Sequence, residues 1–234
     1  MVDRSLSEWR RQGRQARTGW KGSFTAANVR AVDTDGVNER LFDGINGLAG
    51  RWSVLDDVAK FLANDAIFVL GALIAIFGVT ELVRDGRRGV MVGAAGALAL
   101  LVAGALAIAA GSLVTESRPF VGDADSIQLI RHGADNAFPS DHATVAAAAA
   151  VVAAMAWRRW AVAFIALAAL IGIARVFVGV HLPGDVAVGW LLGTAAALAA
   201  WRLAVSAASR WRILPTPEHA APAAGIAGPG EGQA

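Results

Sequence analysis

The 234-residue chain is 56% hydrophobic and 17% charged, with a mean hydropathy of +0.50, too apolar for an ordinary soluble domain of this length. A formal net charge of +2 gives no reason to expect nucleic acid as a partner, and the pI near 9.9 reflects an arginine excess whose placement matters more than its size. With no cysteine the chain can form no disulfide, thiolate nucleophile or cysteine-ligated metal site.

Taken in order, residues 1–40 spread Arg4, Arg10, Arg11, Arg14, Arg17, Lys21, Arg30 and Arg40 among Gly, Ser and Asp. They read as a basic, disordered tail, solvated or resting on headgroups. No apolar core of a cleavable signal peptide occurs in the first sixty residues. A membrane domain is expected over 41–208. Its first part, 41–64, "LFDGINGLAGRWSVLDDVAKFLAN", has helical spacing, but Asp43, Arg51, Asp56, Asp57 and Lys60 are too many charges for a span. An interfacial helix is expected there.

Five apolar segments follow, at 66–83, 89–114, 143–157, 160–178 and 186–205. Only the second comfortably exceeds the roughly 20 residues of a clean span. In the others, Arg84, Arg158, Arg159 and Arg202 can snorkel, and Trp157, Trp160 and Trp201 suit the headgroup boundary. The stretch "GAAGALALLVAGAL" sets small residues four apart, and its glycines read as a seam for close helix packing. Residues 209–234, rich in Pro, Gly and Ala, read as a disordered tail. The expected fold class is therefore all-α: an integral membrane bundle of five spans, or six if 41–64 crosses, plus the N-terminal interfacial helix. A buried soluble bundle fits the Arg/Trp punctuation less well.

Arginines in "RDGRR" (84–88) and "WRRW" (157–160), with Arg202, Arg210 and Arg212, mark one side as cytoplasmic. An odd span count then places the basic N-terminal tail outside, against the same rule. The short loops are the stronger guide, because long segments obey it poorly.

The other side collects the polar groups that an apolar chain least tolerates. Glu116 and Arg118 follow the second span, Ser140 and His142 open the third, and Arg175, His181 and Asp185 close the fourth. His142 and His181 are separated by one out-and-back pair of spans, so both end at one face. Singly, Arg175 or His142 could be a buried residue with one structural partner; together, charged groups converging on one face of a bilayer point to function. Two guanidinium forks match phosphate oxygens, and a helix opening at Ser140 offers free N–H groups to an anion. Two histidines can divide phosphoryl transfer between attack and proton donation. Asp185, four residues past His181, is placed to bond one ring nitrogen and leave the other free. No carboxylate cluster suggests a catalytic metal.

"RP" at 118, "PSDH" at 139 and "R-x5-H-x3-D" from Arg175 resemble the three motifs K-x6-RP, PSGH and SR-x5-H-x3-D of the type-2 phosphatidic acid phosphatase superfamily. Within it, "LFDGINGLAGRWSVLD", "ESRPF", "NAFPSDHAT" and "RVFVGVHLPGD" look like the undecaprenyl-diphosphatase branch, of bacitracin-resistance type, over about 41–205. The resemblance implies His181 as nucleophile, Asp185 as its orienting partner, and His142 as acid for the leaving group and later base for water. It implies Arg118, Arg175, Ser140 and the amide of Asp141 as phosphate holders. Three departures stand out. Gly111 occupies the motif lysine's position, with Arg131 a candidate substitute; Asp141 replaces a glycine; and Ala174 replaces a serine. His132, Arg131 and Glu116 are possible substrate contacts, while His219 is assigned no role. The implied activity is metal-independent hydrolysis of undecaprenyl diphosphate, with no cofactor, a polyprenyl diphosphate lipid as partner, and a site on the extracytoplasmic side of a bacterial-type inner membrane. The alternatives are a phosphatase for phosphatidic acid, phosphatidylglycerophosphate or another polyprenyl phosphate, and a non-catalytic lipid-binding or transport protein. Oligomeric state has no signal in the sequence.

Overall fold

The computed structural model describes residues 34–123 and 125–211. The expected tails over 1–33 and 212–234, with most of the N-terminal arginines and His219, lie outside the described residues. Among the described residues the protein is all-helical, without strands. The helices are α1 (Thr34–Asn46), α2 (Ser53–Asn64), α3 (Ala66–Arg84), α4 (Gly86–Leu113), the single turn α5 (Pro119–Gly122), α6 (Asp141–Ala156), α7 (Ala161–Phe177) and α8 (Pro183–Trp211). A 3-10 turn, Arg158–Trp160, leads into α7.

Four stretches are long and apolar enough to cross a membrane: Ala66–Arg84, Gly86–Leu113, Arg158–Phe177 and Pro183–Arg210. The fifth apolar helix, α6, has only 16 residues, about 24 Å at 1.5 Å per residue, against a hydrocarbon core of about 30 Å. Its surroundings explain the shortness. Ala143, Ala146, Ala148, Ala150 and Ala153 are fully buried, and α6 packs against α3, α4, α7 and α8. A helix walled by other helices does not need to match the lipid thickness.

Small residues govern the packing, as expected where apolar lipid gives helices no hydrophobic reason to associate. The seam on α4 is Ala95, Ala99, Ala103 and Ala107, four apart and all buried. The glycines of this helix were the expected seam, and here the structure corrects the sequence. A β-carbon on Gly93, Gly96 or Gly104 would meet nothing within 4 Å. The close approach to α6 belongs instead to α8. A β-carbon on Gly193 would run into the Thr144 carbonyl, and one on Gly189 would lie 2.8 Å from the Ser140 carbonyl. Those two glycines let α8 lie against the backbone of α6.

In place of one helix over 41–64, the chain forms α1 and α2 with a turn at 47–52. Gly50, at φ +75°, makes the reversal, a left-handed conformation that suits glycine. Its N–H donates to the Asp56 carboxylate at 3.0 Å. Asn46, only 3% exposed, fixes the end of α1. Its amide donates to the carbonyls of Ile127 (2.8 Å) and Phe177 (2.9 Å), and its oxygen accepts from the Ile127 N–H (2.8 Å). Asn38 accepts from the Gly184 N–H at 2.8 Å. Thus α1 is tied to both ends of the turn that carries His181.

Candidate active site

Antiparallel packing of α6 and α7 puts the start of α6 beside the end of α7. The junction is closed by hydrogen bonds: the Ser140 N–H donates to the Asp185 carbonyl at 3.1 Å, and the Leu129 N–H to the Val178 carbonyl at 3.1 Å. The turn after α7 bends at Gly179, φ +81°, where a side chain would collide with the Ile127 carbonyl. His181 therefore leaves this turn toward the loop that follows Arg118.

The His181 ring is buried and fixed from both nitrogens. Nδ1 lies 3.0 Å from the Ala137 carbonyl, which can only accept, so Nδ1 carries the proton. Nε2 then holds the lone pair, and Arg118 Nη1 faces it at 3.4 Å as a donor. Both contacts require the same tautomer. Burial, with help from the Arg175 and Arg118 charges, pushes the imidazole pKa down to about 3. A neutral ring with an unprotonated, oriented Nε2 is the state a nucleophile needs. The Asp185 carboxylate stands 3.6 Å from Nδ1, longer than a hydrogen bond. Its Oδ2 accepts instead from the Leu182 N–H at 2.9 Å, and its carboxyl also meets Glu116. In this arrangement a backbone carbonyl, not the carboxylate, holds the proton-bearing nitrogen.

Arg118 is 5% exposed and held along its whole fork. Nε donates to Asp135 at 2.8 Å, Nη1 to the Val180 carbonyl at 2.9 Å, and Nη2 reaches the Asn136 carbonyl at 3.5 Å. Asp135 is exposed, and its bond to Arg118 holds its carboxyl below the usual range. His132 stands edge-on to His181, with ring centroids 6.5 Å apart, and its Nδ1 is 3.7 Å from Asp135. Burial lowers its pKa as well.

Arg175, 2% exposed, donates from Nη1 to the Ala63 carbonyl at 3.2 Å, while its Nε is buried without a partner. The Ser140 hydroxyl is likewise buried and unpartnered. Buried polar atoms are nearly always satisfied, so two orphaned donors at one end of a bundle mark a place made for an acceptor. His142, half-buried in the first turn of α6, lies within electrostatic reach of Arg175, His181 and His132. Asp141 beside it is exposed, and its carboxylate is felt by Arg175.

The vacancy left by the motif lysine has a structural answer. A β-carbon on Gly111 would sit 3.0 Å from the Phe138 carbonyl and 3.5 Å from the Asn136 amide. Asn136 occupies this corner. Its amide donates to the carbonyls of Gly111 (2.9 Å) and Val114 (2.9 Å), and its oxygen accepts from the N–H groups of Glu116 (2.9 Å) and Phe138 (3.1 Å). Arg131, the candidate substitute, is exposed and makes no hydrogen bond or ion pair among the described residues. Asn136, Asp135 and Asn46 were not singled out in the sequence. The only signal for Asn46 and Asn136 is a lone amide in an apolar setting.

Residues 92–208 match the PAP2 superfamily. The chain is 33% identical over 162 residues to the bacitracin transport permease protein BcrC of Bacillus licheniformis, covering 69% of this chain and 78% of that protein. It is 32% identical over 153 residues to the undecaprenyl-diphosphatase BcrC of Bacillus subtilis, covering 64% and 75%. The crystal structure of Aquifex aeolicus LpxE shares the fold at a TM-score of 0.59 and 23% identity, covering 71% of this chain and 95% of that one. With a superfamily match across half its length and relatives at this identity, the chain is a multi-pass membrane protein of the PAP2 superfamily of phosphatases, and belongs with its undecaprenyl-diphosphatase branch.

Proposed function

We propose that the protein hydrolyses undecaprenyl diphosphate to undecaprenyl phosphate and inorganic phosphate through a phosphohistidine. The observation that carries this reading is a neutral, oriented His181 Nε2 at a bundle end where Arg175 Nε and the Ser140 hydroxyl are buried and unpartnered. The Nε2 lone pair attacks the terminal phosphorus. The bond from phosphorus to the bridging oxygen breaks, and His142 gives that oxygen its proton. Water then attacks the phosphohistidine as His142 takes up a proton, the P–N bond breaks, and His181 is restored. Arg118, Arg175, Ser140 and the Asp141 amide offset charge on the phosphoryl oxygens. His132, beside His181, is set to meet the second phosphate. No metal enters this sequence, and five spans with the site at the extracytoplasmic edge of a bacterial cytoplasmic membrane would keep the polyprenyl chain in lipid.

The B. licheniformis relative bears the name of a transport protein, so turnover is the test that separates the readings. The protein, purified in detergent with EDTA, is offered undecaprenyl diphosphate beside phosphatidic acid and phosphatidylglycerophosphate. Phosphate release from the diphosphate, abolished in His181→Ala, is the expected result. Turnover of phosphatidic acid or phosphatidylglycerophosphate alone reassigns the substrate. A folded protein inactive on all three is not an enzyme of this kind.

A further inference from the structure

At the far end of α6 from His142, the helix stops at Ala156 and the chain turns through Trp157 into Arg158–Trp160. There the ends of α3, α4 and α6 flank an open cleft of about 430 Å³ lined by Glu81, Arg84, Arg88, Trp157, Arg158 and Arg159. Four guanidiniums face one carboxylate. That carboxylate is fully engaged: Oε1 pairs with Arg88 Nε at 3.0 Å, and Oε2 accepts from Trp157 Nε1 at 3.2 Å. Arg88 is engaged too, donating from Nη2 to the Ala156 carbonyl at 2.7 Å. The nearby Asp85 caps α4 through the Arg88 N–H at 3.1 Å. Among the described residues no carboxylate lies within ion-pair distance of Arg84, Arg158 or Arg159. Arg159 rests over the Trp160 ring at 5.8 Å.

Three exposed arginines without a carboxylate partner beside one cleft are open to an anion, and the surroundings say of what kind. Phe77 packs edge-on against Trp157, Trp160 and Phe164, with centroids 5.2, 5.8 and 5.6 Å apart. The charged mouth thus sits on an aromatic belt that continues into the apolar bundle. A phosphate diester carrying acyl chains fits both halves, since tryptophans mark the headgroup level and basic pockets between helix ends hold anionic headgroups. Free phosphate would use only the arginines. We propose that this cleft binds the headgroup of an anionic phospholipid in the leaflet opposite the catalytic site.

The test uses the full chain in detergent, titrated with phosphatidylglycerol or phosphatidylcholine and read by native mass spectrometry. Wild type should retain phosphatidylglycerol in preference, and the triple variant Arg84→Ala/Arg158→Ala/Arg159→Ala should bind it at least roughly tenfold more weakly. Arg202→Ala and Arg118→Ala should keep it, and millimolar inorganic phosphate should not displace it. Thermal melting of the wild type in the two lipids gives a readout that needs no variant: phosphatidylglycerol should raise the midpoint and phosphatidylcholine should not. Equal retention of the two lipids by wild type, or undiminished binding in the triple variant, would overturn the proposal. So would displacement by phosphate alone. Loss in Arg118→Ala instead would place the lipid in the catalytic cluster and equally refute it.

Discussion

Arg118 and His181 face each other inside the protein, Nη1 to Nε2 at 3.4 Å, while the same guanidinium is pinned by Val180, Asp135 and Asn136. A planar fork can meet these partners together; an ammonium cannot. Arg118→Lys, which keeps the charge, is therefore expected to lower kcat/KM by about 10²-fold or more. Asp135→Asn, altering only the exposed end of the network, should lower it by less than about tenfold. Steady-state kinetics of both variants checks the order; a lysine variant near wild type would show that charge alone suffices.

The pairing of His181 Nδ1 with a backbone carbonyl at 3.0 Å, and with Asp185 only at 3.6 Å, limits what the carboxylate can contribute. Asp185→Asn should retain a fixed ring and reduce kcat by roughly 10–10²-fold, much less than His181→Ala does. Because the asparagine oxygen can still accept from the Leu182 N–H, stability should change by less than about 1 kcal/mol. A kcat equal to that of His181→Ala would mean that Asp185 takes over the proton-bearing nitrogen during turnover.

Acidification should destabilise the fold in a particular window. His181 titrates near 6.5 when unfolded and is pushed down to about 3 when folded, so between these values the unfolded chain binds more protons. Stability is then complete above about pH 6.5 and falls as the pH drops toward 3. The lowered pKa of His132 acts in the same direction. Thermal midpoints in detergent should decline from pH 7 to pH 5, and His181→Asn should flatten that slope. An unchanged slope would place the pH sensitivity elsewhere.

Restoring the family lysine should not help. Gly111→Lys brings a β-carbon to 3.0 Å from the Phe138 carbonyl and crowds the Asn136 amide. Removing Asn136 strips four hydrogen bonds from the loop that supplies Ala137. Asn136→Ala is expected to cost about 1–3 kcal/mol of stability, and Gly111→Lys to lower activity as well as the midpoint. A more active lysine variant would show that the corner is open to a phosphate contact.

These residues show where sequence reasoning ran out. Apolar runs separated by arginine and tryptophan announce membrane helices, and one intervening hairpin is enough to bring His142 and His181 to one end. The role of Ala137 could not be read, because a backbone carbonyl leaves no mark in residue type. Nor could the break between α1 and α2, which depends on Asn46 finding partners 81 and 131 residues away. Gly189 and Gly193, rather than Gly93, Gly96 and Gly104, bring a helix against the backbone of α6, a choice set by which face of each helix meets a neighbour. Spacing alone does not say that.

The most direct test is to quench the enzyme during turnover of undecaprenyl diphosphate labelled in its terminal phosphate, then locate the protein-bound label. The expected result is acid-labile, base-stable phosphate on His181, absent in His181→Ala. Phosphate release by folded His181→Ala at near wild-type rate, or label on any other residue, would contradict the phosphohistidine route.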